Sequence, residues 1–315
     1  MLAVLLALAA AAGYGGSDYA AGLAARRASV VRVTVLVELT SAALLMCVIP
    51  FISSQTPSLS SVLWGIAAGT SGVAGAMALY LGFRHAAFSV ASSISAVGSA
   101  AFSVLAGVAL GEQPSALSLA GIALALPAIV AVSAPASRQA QDAALPRQQG
   151  QGPVTKERGL EPAGGSGGVA PPGRQGHAVG VGLGLAAGAG FGMFFIGLNQ
   201  AGSVNDLWPI VISQLAALVT VVCVAAATRD LGLPPAGARR LSVITGVIGA
   251  TGTTMFFLST HHGLLAVTAV ITSLYPAVTI VLARVVSGER LTALRITGLS
   301  LAAASVALIA AGGTS

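Results

Sequence analysis

The chain has 315 residues, 55% of them hydrophobic and only 8% charged, with a formal net charge of +6. A soluble domain carries about a quarter charged residues, so this chain has too few to clothe a water-facing surface. The basic excess is not interleaved with aromatics, which argues against nucleic-acid binding. Cys47 and Cys223 lie in apolar runs without metal-ligand spacing and read as small hydrophobes.

Taken in chain order, apolar runs long enough to cross a bilayer are expected at about Leu2–Leu23, Val30–Phe51, Ser61–Phe83, Ala86–Leu110, Pro114–Ala134, His177–Leu198, Leu207–Ala227, Leu241–Thr260, Gly263–Val286 and Ala293–Gly312. The expected fold class is an all-α polytopic membrane protein with ten crossings. The first run has its arginines after the apolar core, the wrong polarity for a signal sequence. Residues 135–176 are rich in Pro, Gly, Gln and Ala and read as a disordered linker between two units, 1–134 and 177–315.

Those two units match each other. Adding 177 carries Gly13-Tyr14-Gly15 to Gly190-Phe191-Gly192, Gly69, Gly72 and Gly75 to Gly246, Gly249 and Gly252, and Gly111-Glu112 to Gly288-Glu289. In the second span the offset slips to 176, pairing Glu38 with Gln214 and Cys47 with Cys223. A unit with five crossings starts its second copy on the opposite face, so the expectation is two inverted five-helix repeats, a plan of secondary transporters.

Charge fits that plan. All 15 Lys and Arg residues lie in or flank the loops after odd-numbered spans, the linker included, which places them on one face. The matched positions have lost the charge: Arg26 corresponds to Ser203, Arg27 to Val204 and Arg84 to His261. The positive-inside rule puts the basic face and the linker in the cytoplasm, with both termini outside. The expected location is the plasma membrane.

The segments "LGEQPSALSLAGIAL" and "SGERLTALRITGLSL", with Gly-Glu followed nine residues on by Gly, resemble the EamA-type drug/metabolite transporter superfamily. "TSLYPAVTIVLARVVSGERL" is similar to that family's ninth-span pattern, with Pro276 at its usual place; Ser99 stands where the first half would carry that proline. The resemblance covers both halves but not the linker. It implies ten helices in two inverted repeats around a central cavity, and transport without ATP hydrolysis. It also implies cytoplasmic termini, the reverse of what the charges indicate.

Several residues are candidates for function. Asp18 lies roughly 24 Å along the first span, from about 1.5 Å of rise per residue. A carboxylate at such depth is costly and needs a partner or a use. It could bind a cationic substrate or a proton; a salt bridge to Arg26 or Arg84 is the structural alternative. Tyr14 lies one turn before it on the same face. Glu38, near mid-depth in span two, is a second coupling candidate or a structural hydrogen-bonding group. Ser92, Ser95, Ser99 and Ser103 share one helix face, as do Thr268, Thr272, Tyr275 and Thr279. They would form the polar wall of one cavity, or bond their own backbone. Glu112 and Glu289 read as helix caps or loop pairs.

The functional expectation is a secondary transporter for a small metabolite or drug-like solute, proton-coupled if Asp18 or Glu38 titrates. Its partners would be that solute and the lipid bilayer, and a homodimer would be compatible with it. No enzyme activity, cofactor or metal is expected. An intramembrane enzyme would need convergent catalytic groups; a non-transporting scaffold or sensor is the other alternative.

Overall fold

The computed structural model describes residues 1–53, 56–85, 88–133, 174–287 and 291–313. The expected linker therefore lies almost wholly outside the described residues, as does Glu289. The regular elements are helices: α1 (Leu2–Ala25), α2 (Val30–Ile52), α3 (Leu59–His85), α4 (Phe88–Ala109), α5 (Ala116–Val132), α6 (Arg174–Gln200), α7 (Trp208–Ala227), α8 (Ala236–His261), α9 (Leu265–Thr272), α10 (Tyr275–Ser287) and α11 (Ala293–Gly312). Among the described residues there is no strand beyond an isolated bridge between Ser203 and Asp206. Among the described residues, eight stretches are long and apolar enough to cross a membrane, α9 and α10 together forming one of them; Ile94–Ala109 and Ala116–Val132 are apolar but shorter.

Local chemistry sets the helix ends. Ser115 caps α5 by accepting from the Ser118 N–H at 3.2 Å, and Thr292, its match at +177, caps α11 by accepting from Arg295 at 3.3 Å. Pro209 stands in the first turn of α7, where a missing N–H costs nothing. Gly111 turns the chain after α4 with φ +93°, a conformation that favours glycine.

The largest differences from the sequence reading are three, beyond shifts of about two residues at other helix ends. Helix α6 begins at Arg174, inside the segment assigned to the linker, and α8 begins at Ala236 rather than Leu241. The ninth apolar run is not one helix. It breaks at Ser273-Leu274, and Pro276 is the second residue of α10. Pro276 sits in the first turn of the new helix, where its fixed φ is suited and it has no N–H to leave unpaired.

The most extensive helix pairings are α3 with α6, α1 with α8, α5 with α11, and α4 with α6. Small residues let these backbones approach. A β-carbon on Gly13 would lie 2.7 Å from the Gly252 Cα, and one on Gly190 would lie 2.7 Å from the Gly75 Cα. Likewise Gly72 meets Phe194 and Gly249 meets Ser17, while Gly121 meets Ile309 and Gly298 meets Val132. Gly69 abuts Ser213 and Ala216, as Gly246 abuts Val37 and Thr40. Within each set, one contact becomes the other when 177 is added to or subtracted from its residue numbers, or 176 for those in α2 and α7.

Two large apolar clusters lie in the interior, beside smaller ones around Val33 and Val221. One gathers Val4, Ala96, Ala100, Ile129, Val267, Ile271 and Ile309 from α1, α4, α5, α9 and α11. The other gathers Leu45, Phe195, Leu198, Ile210, Phe256 and Phe257 from α2, α6, α7 and α8.

Candidate functional site

Helix α1 carries the site. It is fixed along its length by hydrogen bonds to α8 and α10. Ser259 donates to the Ala3 carbonyl at 2.8 Å, Ser17 to the Thr245 carbonyl at 3.3 Å, and Thr279 to the Gly15 carbonyl at 3.1 Å. The close approach of Gly13 to Gly252 brings the next residues face to face. Tyr14 donates its hydroxyl proton to Thr253 Oγ1 at 3.2 Å. The Tyr14 ring lies 6.4 Å from that of Phe195, and Phe195 stands 4.4 Å from Phe256, which makes an aromatic wall on α6 and α8.

Both acids reach this place. Asp18 follows Tyr14 by four residues on α1, one turn further along the same face, and Glu38 lies on α2. Glu38 is half-buried on α2 and accepts a hydrogen bond from Gln214 Nε2 on α7 at 3.4 Å. Asp18 is exposed and has no hydrogen-bond or ion-pair partner among the described residues. The salt bridge from Asp18 to Arg26 does not form. The Arg84 side chain lies outside the described residues. Phe195, which matches Asp18 in the second half, supplies a ring where the first half supplies a charge. The site is therefore unequal: two carboxylates from α1 and α2 face an amide, a hydroxyl and phenyl rings from α6, α7 and α8.

The hydroxyl stripes come together differently from expectation. Ser95, Ser99, Thr268 and Thr272 are all buried, packed with Ala96, Ala100, Val267 and Ile271. The Ser99 and Ser273 hydroxyls meet at 3.3 Å, joining α4 to the break between α9 and α10. Thr268 bonds back to the Leu264 carbonyl at 3.0 Å, the local alternative for such residues. Among the described residues, the buried hydroxyls of Ser95, Ser103 and Thr272 have no hydrogen-bond partner. The first stripe thus meets the α9–α10 break through Ser99, while Thr279 of the second turns to the Gly15 carbonyl of α1. Ser92 lies on α4, but its side chain is outside the described residues. Tyr275 begins α10 and is half-buried, with its carbonyl against Gly15 on α1.

That contact also corrects a match. Gly15 meets Tyr275 and Val278, and Gly192, its equivalent, meets Ser99 and Phe102. Ser99 therefore corresponds to Tyr275, at an offset of 176, and the residue in the place of Pro276 is Ala100.

Glu112 caps a helix in the other half. Its two oxygens accept from the N–H groups of Leu265 and Ala266 at 2.5 and 2.9 Å, at the start of α9. His261 ends α8, with its ring 4.2 Å from Phe257 and Nδ1 2.9 Å from the Phe257 carbonyl, so it belongs to the helix rather than to a loop. Thr253 and Thr245 were missed by sequence reading. They are ordinary hydroxyls on an apolar helix, and only the seating of Gly13 on Gly252 brings them to α1.

Among the described residues the fold is all-helical, and its long apolar helices give the protein multi-pass membrane character. No protein-family model matches the sequence, and no curated protein matches it. A protein of solved crystal structure shares the fold, with a TM-score of 0.68 at 14% identity over 97% of this chain and 95% of that chain. At that identity the likeness concerns the fold alone.

Proposed function

We propose that this chain is a secondary transporter of the EamA drug/metabolite type, moving a small solute by alternating access. It has ten crossings in two inverted five-helix repeats, residues 1–134 and 177–315, joined by a cytoplasmic linker in the plasma membrane. The observation that carries this reading is the exchange of contacts. Gly13 meets Gly252 while their equivalents Gly190 and Gly75 meet each other. Two copies that swap partners in this way are related by a two-fold axis, and each copy has an odd number of spans. Such a molecule can favour either of two mirrored arrangements, open to one side or the other.

Asp18 and Glu38 carry the coupling charge, with Tyr14 between them. A protonated pair crosses without solute, and an ionised pair, having released its proton, holds a cationic solute. In the arrangement described, the seam between α4 and α9–α10 is closed. Opening it gives Ser95, Ser99, Thr268, Thr272 and Tyr275 a solute to bind. The basic residues support the orientation. Arg27 donates to the Gly237 carbonyl at 3.3 Å and Arg32 to Asp230 at 2.7 Å, so the α1–α2 turn and the α7–α8 loop share one end.

The test uses the full chain in proteoliposomes loaded with a pH-sensitive dye. Panels of amino acids, sugars, amines and nucleotides are applied with and without a pH gradient. At least one class is expected to move protons with the wild type and not with Asp18→Asn at equal reconstitution. No dye response to any class would reject proton coupling, and no uptake of any radiolabelled solute of the same panels, with or without a gradient, would reject transport. Equal proton movement in Asp18→Asn would reject the coupling role.

A further inference from the structure

The basic end of the molecule carries a groove that the transport reading does not use. Leu23 and Arg27 from the end of α1 line it on one side, and Ala236, Gly237, Arg240 and Leu241 from the start of α8 on the other. Its volume is about 480 Å³. Arg27 and Arg240 are both exposed. Arg27 spends one donor on the Gly237 carbonyl, which holds its guanidinium across the first turn of α8. Arg240 has no hydrogen-bond or ion-pair partner among the described residues. The N–H groups of Ala236 and Gly237 belong to the first turn of a 26-residue helix, where the backbone has no partner of its own to offer.

No acid within the groove cancels this charge. Asp230, on the adjoining loop, is already engaged by Ser29 and by Arg32. The groove is also not purely polar. Leu23 and Leu241 stand in the same wall as the arginines, where two helices of membrane-crossing length meet the basic face. A dissolved anion has no use for that aliphatic wall. A phosphodiester with acyl chains has, because its headgroup sits at the level of the guanidinium groups and its chains run along the leucines. Basic pockets between spanning helices on the cytoplasmic side suit anionic lipid headgroups in this way.

We propose that the groove between the end of α1 and the start of α8 is a binding site for an anionic phospholipid, its phosphate held by Arg27 and Arg240. Because α1 also carries Tyr14 and Asp18, lipid bound here holds the pairing of α1 with α8 at the basic end. The proposal stands without the transport reading.

The purified full chain in neutral detergent is titrated with dioleoyl-phosphatidylglycerol, dioleoyl-phosphatidylcholine and inorganic phosphate, with melting temperature as the readout. Phosphatidylglycerol is expected to raise it and the other two are not. Arg27→Gln with Arg240→Gln is expected to weaken phosphatidylglycerol binding about thirtyfold, since each basic residue near an anionic headgroup contributes about a factor of five. Arg26→Gln with Arg229→Gln removes the same charge outside the groove and is expected to leave binding within about threefold of wild type. A shift with inorganic phosphate equal to that with phosphatidylglycerol would overturn the lipid assignment. So would an equal loss in the two double variants, which would reveal only a diffuse surface charge. Should the groove variant fail to fold, lipid retained by the wild type is measured by native mass spectrometry. Phosphatidylcholine retained as well as phosphatidylglycerol would then overturn the proposal.

Discussion

Gln214 donates its amide to the Glu38 carboxylate at 3.4 Å, and each of these residues is the other's match in the duplicated sequence. A residue that bonds its own equivalent sits where the two halves meet. The position carries one acid and one amide. Two acids would repel there, whereas the amide supplies a donor. Gln214→Leu, which leaves the carboxylate without its donor, is expected to cost about 1 kcal/mol. Gln214→Glu is expected to melt lower still, and the swap Glu38→Gln with Gln214→Glu to return close to wild type. A swap as unstable as Gln214→Glu alone would show that the two side chains do not depend on each other.

The glycine contacts give a paired expectation. Gly13→Ala would place its methyl group 2.7 Å from the Gly252 Cα, and Gly190→Ala the same distance from the Gly75 Cα. Backbone cannot step aside as a side chain can, so each change is expected to cost about 1–3 kcal/mol. Gly22→Ala has nothing within 4 Å and is expected to be neutral or slightly stabilising. Thermal unfolding in detergent checks all three. A neutral Gly13→Ala would mean that α1 and α8 are not in this contact.

Glu112 closes the start of α9 with two charge-assisted hydrogen bonds. Glu112→Gln keeps one acceptor and loses the charge that favours a helix N-terminus, at an expected cost of about 1 kcal/mol. Glu112→Ala is expected to cost about 2 kcal/mol and to speed hydrogen exchange at Leu265 and Ala266 before it affects the rest of the chain. Unchanged exchange there would remove the capping role.

Asp230 lies in the loop outside the spans. Hydrogen bonding from Ser29, and then the bond and charge of Arg32, hold its carboxyl below the usual Asp value; slight burial opposes them. A group whose folded pKa is depressed contributes stability above its unfolded value, about 3.9, and loses it as pH falls through the lower folded value. Wild type is therefore expected to melt above Asp230→Asn at neutral pH, with the gap closing below about pH 4. A gap that persists at lower pH would mean that the loop is held by contacts other than the carboxylate.

Much of the fold was legible in the chain itself, because a bilayer demands long apolar runs and the chain has little else. The glycine spacing was legible too: Gly13 and Gly190 stand 177 residues apart, as do Gly75 and Gly252, and each of these glycines packs against the backbone of another. Charge reads almost as directly, since arginine is costly in hydrocarbon and stays at the ends of helices. Tyr14, Asp18 and Glu38 stood out for the same reason, as polar groups where polar groups are expensive.

What folds against what was not in the sequence. Thr253 became the acceptor for Tyr14 only because α1 seats on α8, and the seam that buries Ser95, Ser99, Thr268 and Thr272 depends on how α4 meets α9. The break at Ser273-Leu274 was hidden inside a continuous apolar run, since hydropathy reports the solvent around a segment and not its backbone path. Sequence fixes which groups pay to be in lipid; the approach of one helix to another, set by small residues distant along the chain, decides which of them meet.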